Sequence, residues 1–243
     1  MSPVAIPKIL QQTWSWSRAN LNIVIGVALA IHTLPVVVLS NFVAPLETLE
    51  FSWSQFGGLI ILGLFTSIIA QALLFARMRL DLFGLDANGR RPWALAAHYA
   101  LPILLIGLVT GVLTALGFML LIIPGVFLAV LWSVATPALL VEDLSLGKAL
   151  DRSAELTKGY RWQILGLFLI AAAIALAAGA FWEALGAVLV GGSTAEAGIW
   201  FTIISQSISG FFATFFTVGQ MILYRNLRGA FVGIGDEDNT IFD

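Results

Sequence analysis

The chain has no cysteine among its 243 residues, which excludes a disulfide framework and any thiolate metal site. Charge is scarce too. Only 11% of the residues are Asp, Glu, Lys or Arg, against roughly a quarter in soluble domains, while 59% are hydrophobic. The net charge of -2 lacks the basic excess that nucleic-acid binding asks for. From Trp93 to Val141 no charged residue occurs, a run too long for one membrane helix of roughly 20 residues and right for two. H-E-x-x-H, Walker and nucleophile-elbow strings are absent. Gly233-Ile-Gly235-Asp236 spells the G-x-G-D of intramembrane aspartyl proteases, but it lies in the tail and no second intramembrane Asp exists, so Asp236, Glu237 and Asp238 read as a solvated acidic tail. The first apolar run begins only at Leu21 and outlasts the apolar region of a signal peptide.

What is present predicts an all-α, polytopic membrane bundle. Six transmembrane helices are expected at about 21–42, 56–76, 93–116, 120–141, 162–190 and 199–224, with amphipathic interfacial helices at 6–18 and 146–158. Residues 1–231 form one integral membrane domain, and 232–243 a loose acidic cytoplasmic tail. The turn between the third and fourth spans is placed near Gly117 to Gly125, with Pro124 in the first turn of the fourth. With both termini in the cytoplasm, all twelve Lys and Arg fall inside, and Glu47, Glu50, Glu183 and Glu196 fall outside. That satisfies the positive-inside rule and predicts a multi-pass protein of the bacterial inner membrane. Trp93 and Trp162 would mark the inner interface, and Trp53, Trp182 and Trp200 the outer one.

The stretch Val141 to Trp162 is the one charged island in the apolar second half. Ser145 is placed to cap a helix and Gly159 to end it. At about 100° per residue, Lys148, Asp151, Arg152, Glu155 and Lys158 share one side, and Leu146, Ala149, Leu150, Ser153, Leu156 and Thr157 the other. Two readings suit such a helix: it lies on anionic lipid, or it caps the bundle. On the first, Lys8, Arg18, Lys148, Arg152, Lys158 and Arg161 contact anionic membrane lipid or a protein partner.

Ile6 to Arg18 overlays Leu146 to Lys158 in pattern, with Lys8 over Lys148 and Thr13 over Ser153, and Gly26 then falls on Gly166. Gln71-Ala-Leu-Leu-Phe75 with Arg79 likewise matches Gln220-Met-Ile-Leu-Tyr224 with Arg228. These matches predict a parallel internal repeat of surface helix plus hairpin. Among the polar groups left inside the spans are Gln71, Gln220, His32 and His98. The glutamines are expected to tie helices together, and the histidines to bond a neighbouring helix rather than hold a metal or move a proton. Small residues recur at every fourth place: Gly107, Gly111 and Ala115; Ala171, Ala175 and Gly179; Ser205, Ser209, Ala213 and Thr217. Packing within the chain is the expected use, a dimer interface the other.

Pro124-Gly125, Glu142, Leu146, Ala149, Leu150, Ser153, Leu156, Thr157, Gly159 and Trp162 carry a resemblance over about Leu120 to Leu167. The segment resembles the membrane domain of some glycerophosphoryl diester phosphodiesterases and the stand-alone bacterial inner-membrane proteins related to it. In that family a separate soluble barrel performs hydrolysis. The resemblance therefore implies membrane embedding without phosphodiesterase activity. No cofactor or metal is expected. The expected function is a non-catalytic inner-membrane protein whose cytoplasmic-side helices contact anionic lipid or a partner. The alternatives are a carrier or flippase for a lipid-like or small amphiphilic molecule, and an accessory subunit of a larger membrane complex or homo-oligomer.

Overall fold

The computed structural model describes residues 4–35, 53–84, 92–190 and 198–239, all helix and turn with no strand among them. α1 (Ile6–Ala19) leads through Asn20 into α2 (Leu21–Ala28), which continues as a π-helical turn, Leu29–Thr33. Then follow α3 (Trp53–Phe83), α4 (Pro92–Leu120), α5 (Ile122–Leu131), α6 (Ala135–Glu142), α7 (Leu146–Leu156), α8 (Arg161–Val190) and α9 (Gly198–Asn239).

Among the described residues, four stretches are long and apolar enough to cross a membrane: Ala96–Leu120, Ile122–Glu142, Arg161–Leu189 and Trp200–Val232. They coincide with the last four expected spans. The first, at 21–42, lies partly outside the described residues, and the second, at 56–76, falls within α3. α9 runs on to Asn239, so the segment expected to be loose from 232 begins as a continuation of the helix.

Buried and exposed apolar surface separate along the helices. On α8 the buried side chains are Ile164 and Leu167 near its start, while Leu169, Leu176 and Val188 further on are exposed. On α9 the order is reversed: Trp200 and Ile204 are exposed, and Met221 to Tyr224 are buried. One end of the bundle therefore holds a dry core around α6, whose Ala135, Ala138, Leu139 and Leu140 are all buried. Exposed leucines, isoleucines and phenylalanines on α4, α5 and α8 cover the rest, more contiguous apolar surface than a water-soluble monomer tolerates. These are the apolar helices of a membrane protein.

α4 and α5 form a tight hairpin at the place the sequence predicts. A Cβ on Gly117 would lie 3.0 Å from the Gly125 Cα, and one on Gly125 would run into the Phe118 ring. Only glycine permits this approach. Gly125→Ala is expected to lower stability by about 1–3 kcal/mol, as overpacking does. At Gly107, where a Cβ meets nothing within 4 Å, alanine should be neutral or better. Thermal unfolding of the two variants in mild detergent checks the contrast. Among the described residues Gly107 and Gly111 face open space and Ala115 is exposed, so none of them packs this stripe as the sequence leads one to expect.

The fourth expected span is broken. α5 stops at Leu131, residues 132–134 turn, and α6 resumes. α7 lies across this break and repairs it: Ser153 Oγ donates to the Leu131 carbonyl (2.8 Å) and accepts from the Val134 N–H (3.3 Å). Thr157 Oγ1 donates back to the Ser153 carbonyl at 2.9 Å. Backbone groups freed at a break inside apolar surroundings need such partners.

The helical period sorts α7 correctly, with Ala149, Ser153, Leu156 and Thr157 buried and Lys148, Asp151, Glu155 and Lys158 exposed. Gly159 ends it at φ 86°, whereas Ser145 takes the cap position without a side-chain cap bond. What the apolar side meets is protein, not lipid. α7 rests on α6, α9 and α4, and α1 rests on α9, α8 and α2. Of the two readings of these helices, bundle-capping describes their apolar faces. The matched patterns of α1 and α7 thus accompany different sets of neighbours, because α7 spends its polar edge on a helix break that α1 does not face.

Candidate functional site

Two adjacent carboxylates at the end of α6 gather side chains from five helices. Glu142 is 18% exposed and accepts from Arg152 Nε at 3.2 and 3.1 Å and from the Tyr224 hydroxyl at 2.7 Å; Arg228 Nε stands 3.7 Å away. Asp143 ends α6 in the left-handed region at φ 51°, a conformation that Asp tolerates better than most residues. That turn points its carboxylate the other way. Tyr99 donates to Asp143 Oδ1 at 2.6 Å and accepts from Arg79, whose Nη2 lies 3.7 Å from Asp143 Oδ2. Arg152 also reaches Glu155 at 3.4 Å and stacks over the Phe231 ring at 4.7 Å. α3, α4, α6, α7 and α9 thus meet at one pair of acids. Because cations and hydroxyls occupy these oxygens, the arrangement is a clamp. Among the described residues no three His, Asp or Glu side chains gather as a metal site requires.

The basic residues predicted to contact lipid divide into two groups. Lys8, Arg18, Lys148 and Lys158 are exposed and make no ion pair among the described residues. Arg152 is engaged by Glu142, and Arg161 stacks 5.0 Å over the Phe127 ring, so neither is a free surface cation. α1 and α7 sit at the same end of the bundle. Gln12 of α1 accepts from Asn226 of α9 at 3.0 Å and Thr13 lies beside Gly219, while Arg152 of α7 meets Phe231. At the other end of α8, Glu183 joins Ser205. The 22 helical steps from Arg161 to Glu183 span about 33 Å, close to the roughly 30 Å hydrocarbon core. Trp162 and Trp200, both exposed, mark opposite ends of this stretch.

Among the described residues no hydrogen bond joins Gln71, Gln220 and His98. Gln71 is half-buried on α3, and Gln220 is half-buried on α9 in a small cleft beside Thr13. His98 is exposed on α4, next to the clamp's Tyr99. His32 falls in the π turn, and its side chain is outside the described residues. The π turn is tied to α9 by a Thr33–Ser207 hydroxyl pair at 3.0 Å. Comparison of the chain with protein-family models, curated proteins and solved structures found no match.

A second feature lies between α8 and α9, an apolar groove of about 520 Å³. Ala171, Ala175 and Gly179 line one wall, Ser209 and Ala213 the other, and Leu10 of α1 closes one end. The small-residue stripes of these two helices therefore leave a space instead of bringing the helices together. Aromatic pairs at both ends hold them apart: Phe168 against Phe216 at 5.0 Å, and Trp182 stacked on Phe201 at 5.3 Å and 13°. Beyond Leu10 the space continues as the small cleft under α1 that reaches Gln220.

Proposed function

We propose that this chain is a non-catalytic, multi-pass protein of the bacterial inner membrane whose amphipathic helices, α1 and α7, present cations to anionic lipid. The observation that carries this reading is the free group of Lys8, Arg18, Lys148 and Lys158 on two helices that meet one end of α9. Their apolar faces are occupied by the bundle, so the outward cations are what these helices offer to a head group. The six spans, the cytoplasmic termini, the parallel repeat and the likeness to the phosphodiesterase membrane domain belong to the same proposal. Supporting it are the cationic end of α8 and α9 opposite Glu183 and the correspondence of four expected spans.

Two experiments test it. Phosphatidylglycerol added to the detergent-purified chain should raise its unfolding temperature more than phosphatidylcholine does. Changing all four free cations to glutamine should abolish that difference; an undiminished preference would overturn the lipid reading. Because the chain lacks cysteine, single cysteines can map its topology without background. Lys148→Cys should react with an impermeant maleimide only from the cytoplasm, and Ser193→Cys only from outside. The reverse would overturn the orientation.

A further inference from the structure

We propose that the groove between α8 and α9 holds one acyl chain of a membrane phospholipid, whose head group reaches the cationic end beside α1. The head-group half rests on the anionic-lipid reading; the chain half stands on the groove alone.

The groove is built into the two helices. Ala171, Ala175 and Gly179 recur at every fourth position, so they form one stripe along α8, and Ser209 and Ala213 do the same on α9. Two small stripes facing each other in a membrane bundle ordinarily draw helices into close contact. Here the Phe168–Phe216 and Trp182–Phe201 pairs act as spacers at the two ends, and the helices between them cannot close. The 14 helical steps from Phe168 to Trp182 measure about 21 Å along the helix. That exceeds the roughly 15 Å half-thickness of a hydrocarbon core, so an extended chain entering from one leaflet can lie along it.

Chemistry selects the occupant. Ser209 is the one polar side chain among the lining residues, and both walls belong to helices apolar enough to cross a membrane. Surrounded by hydrocarbon, a space of this kind gains dispersion contacts on both walls when a chain fills it. At its α1 end the groove is lined by Leu10, and the same helix carries the exposed Lys8. An apolar slot for a chain, at the end of the bundle where α1 bears exposed cations, suits an anionic amphiphile.

The test uses phosphatidylglycerol with a photoactivatable diazirine in its acyl chain, mixed with the whole purified chain in nanodiscs, and phosphatidylcholine carrying the same chain as comparison. Adducts are expected on peptides covering 168–182 and 201–216, at several times the yield on the exposed face of α4. Ala175→Phe fills the groove from α8 and Ala213→Phe from α9; each should reduce groove adducts at least fivefold while α4 adducts stay constant. Two variants on opposite walls guard against one that fails to fold. Equal labelling of α4 and the groove, or yields indifferent to both fillers, would overturn the proposal. A second copy of the chain crosslinked through this groove in place of lipid would overturn it too. Groove adducts with both lipids at equal yield would support the acyl-chain site while refuting the anionic preference, so the two claims fail separately.

Discussion

Glu142→Ala is expected to destabilise the chain by about 1.5–3 kcal/mol, the cost of losing hydrogen bonds to a charged group in a partly buried cluster. Arg152 loses both its hydrogen bonds to the carboxylate, Tyr224 loses its acceptor, and Arg228 loses its counter-charge. All three belong to elements packed around α6, so the loss is felt where α7 and α9 meet. Arg228→Gln should cost far less, below about 1 kcal/mol, because Arg228 is 40% exposed and stands 3.7 Å from the carboxylate. Thermal unfolding in mild detergent orders the two variants. A cycle with Arg152→Ala should show coupling of roughly 0.5–3 kcal/mol, since the pair is in direct contact. Additive losses would mean that Glu142 acts through Tyr224 and Arg228 instead of Arg152.

Ser153→Ala carries the second large effect. Its hydroxyl is the side-chain partner of the Val134 N–H and of the Leu131 carbonyl at the break between α5 and α6. Alanine leaves a buried donor unpaired, with an expected loss of about 1–3 kcal/mol. The distinctive readout is local. Hydrogen exchange should accelerate at residues 131–134 and across α7, and stay unchanged in the α4–α5 hairpin around Gly117. Uniform acceleration would show that the hydroxyl stabilises the fold only in general, not this break.

These two residues also show what is legible in the sequence and what is not. The charged and apolar sides of α7 follow from helical period, its end from Gly159, and the α4–α5 turn from Gly117 and Gly125, because each signal is local. By pattern alone Arg152 and Arg161 are surface cations. Their spacing shows only which side of a helix they occupy, while Glu142 and the Phe127 ring are brought to them by tertiary packing. Ser153 has the pattern of an edge residue of an amphipathic helix; the break it repairs is 22 residues earlier, in a run that reads as continuous apolar helix. Tyr224 is visible only as the end of a span, and its bond to Glu142 crosses 82 residues. The stripe Ala171, Ala175 and Gly179 is plain in the sequence, but its use turns on Phe168 and Trp182, aromatic residues whose partners on α9 no periodicity reveals. The likeness of α1 to α7 is likewise a pattern of polarity, and polarity does not specify which neighbours a helix docks against.

The most direct test of the proposed function is native mass spectrometry of the unmodified chain, released from mild detergent after purification from a bacterial inner membrane. The expected result is chains carrying retained phospholipid, predominantly anionic, with retention reduced when Lys8, Arg18, Lys148 and Lys158 are changed to glutamine. Chains that emerge free of lipid, or bound to a stoichiometric second polypeptide in its place, would contradict it.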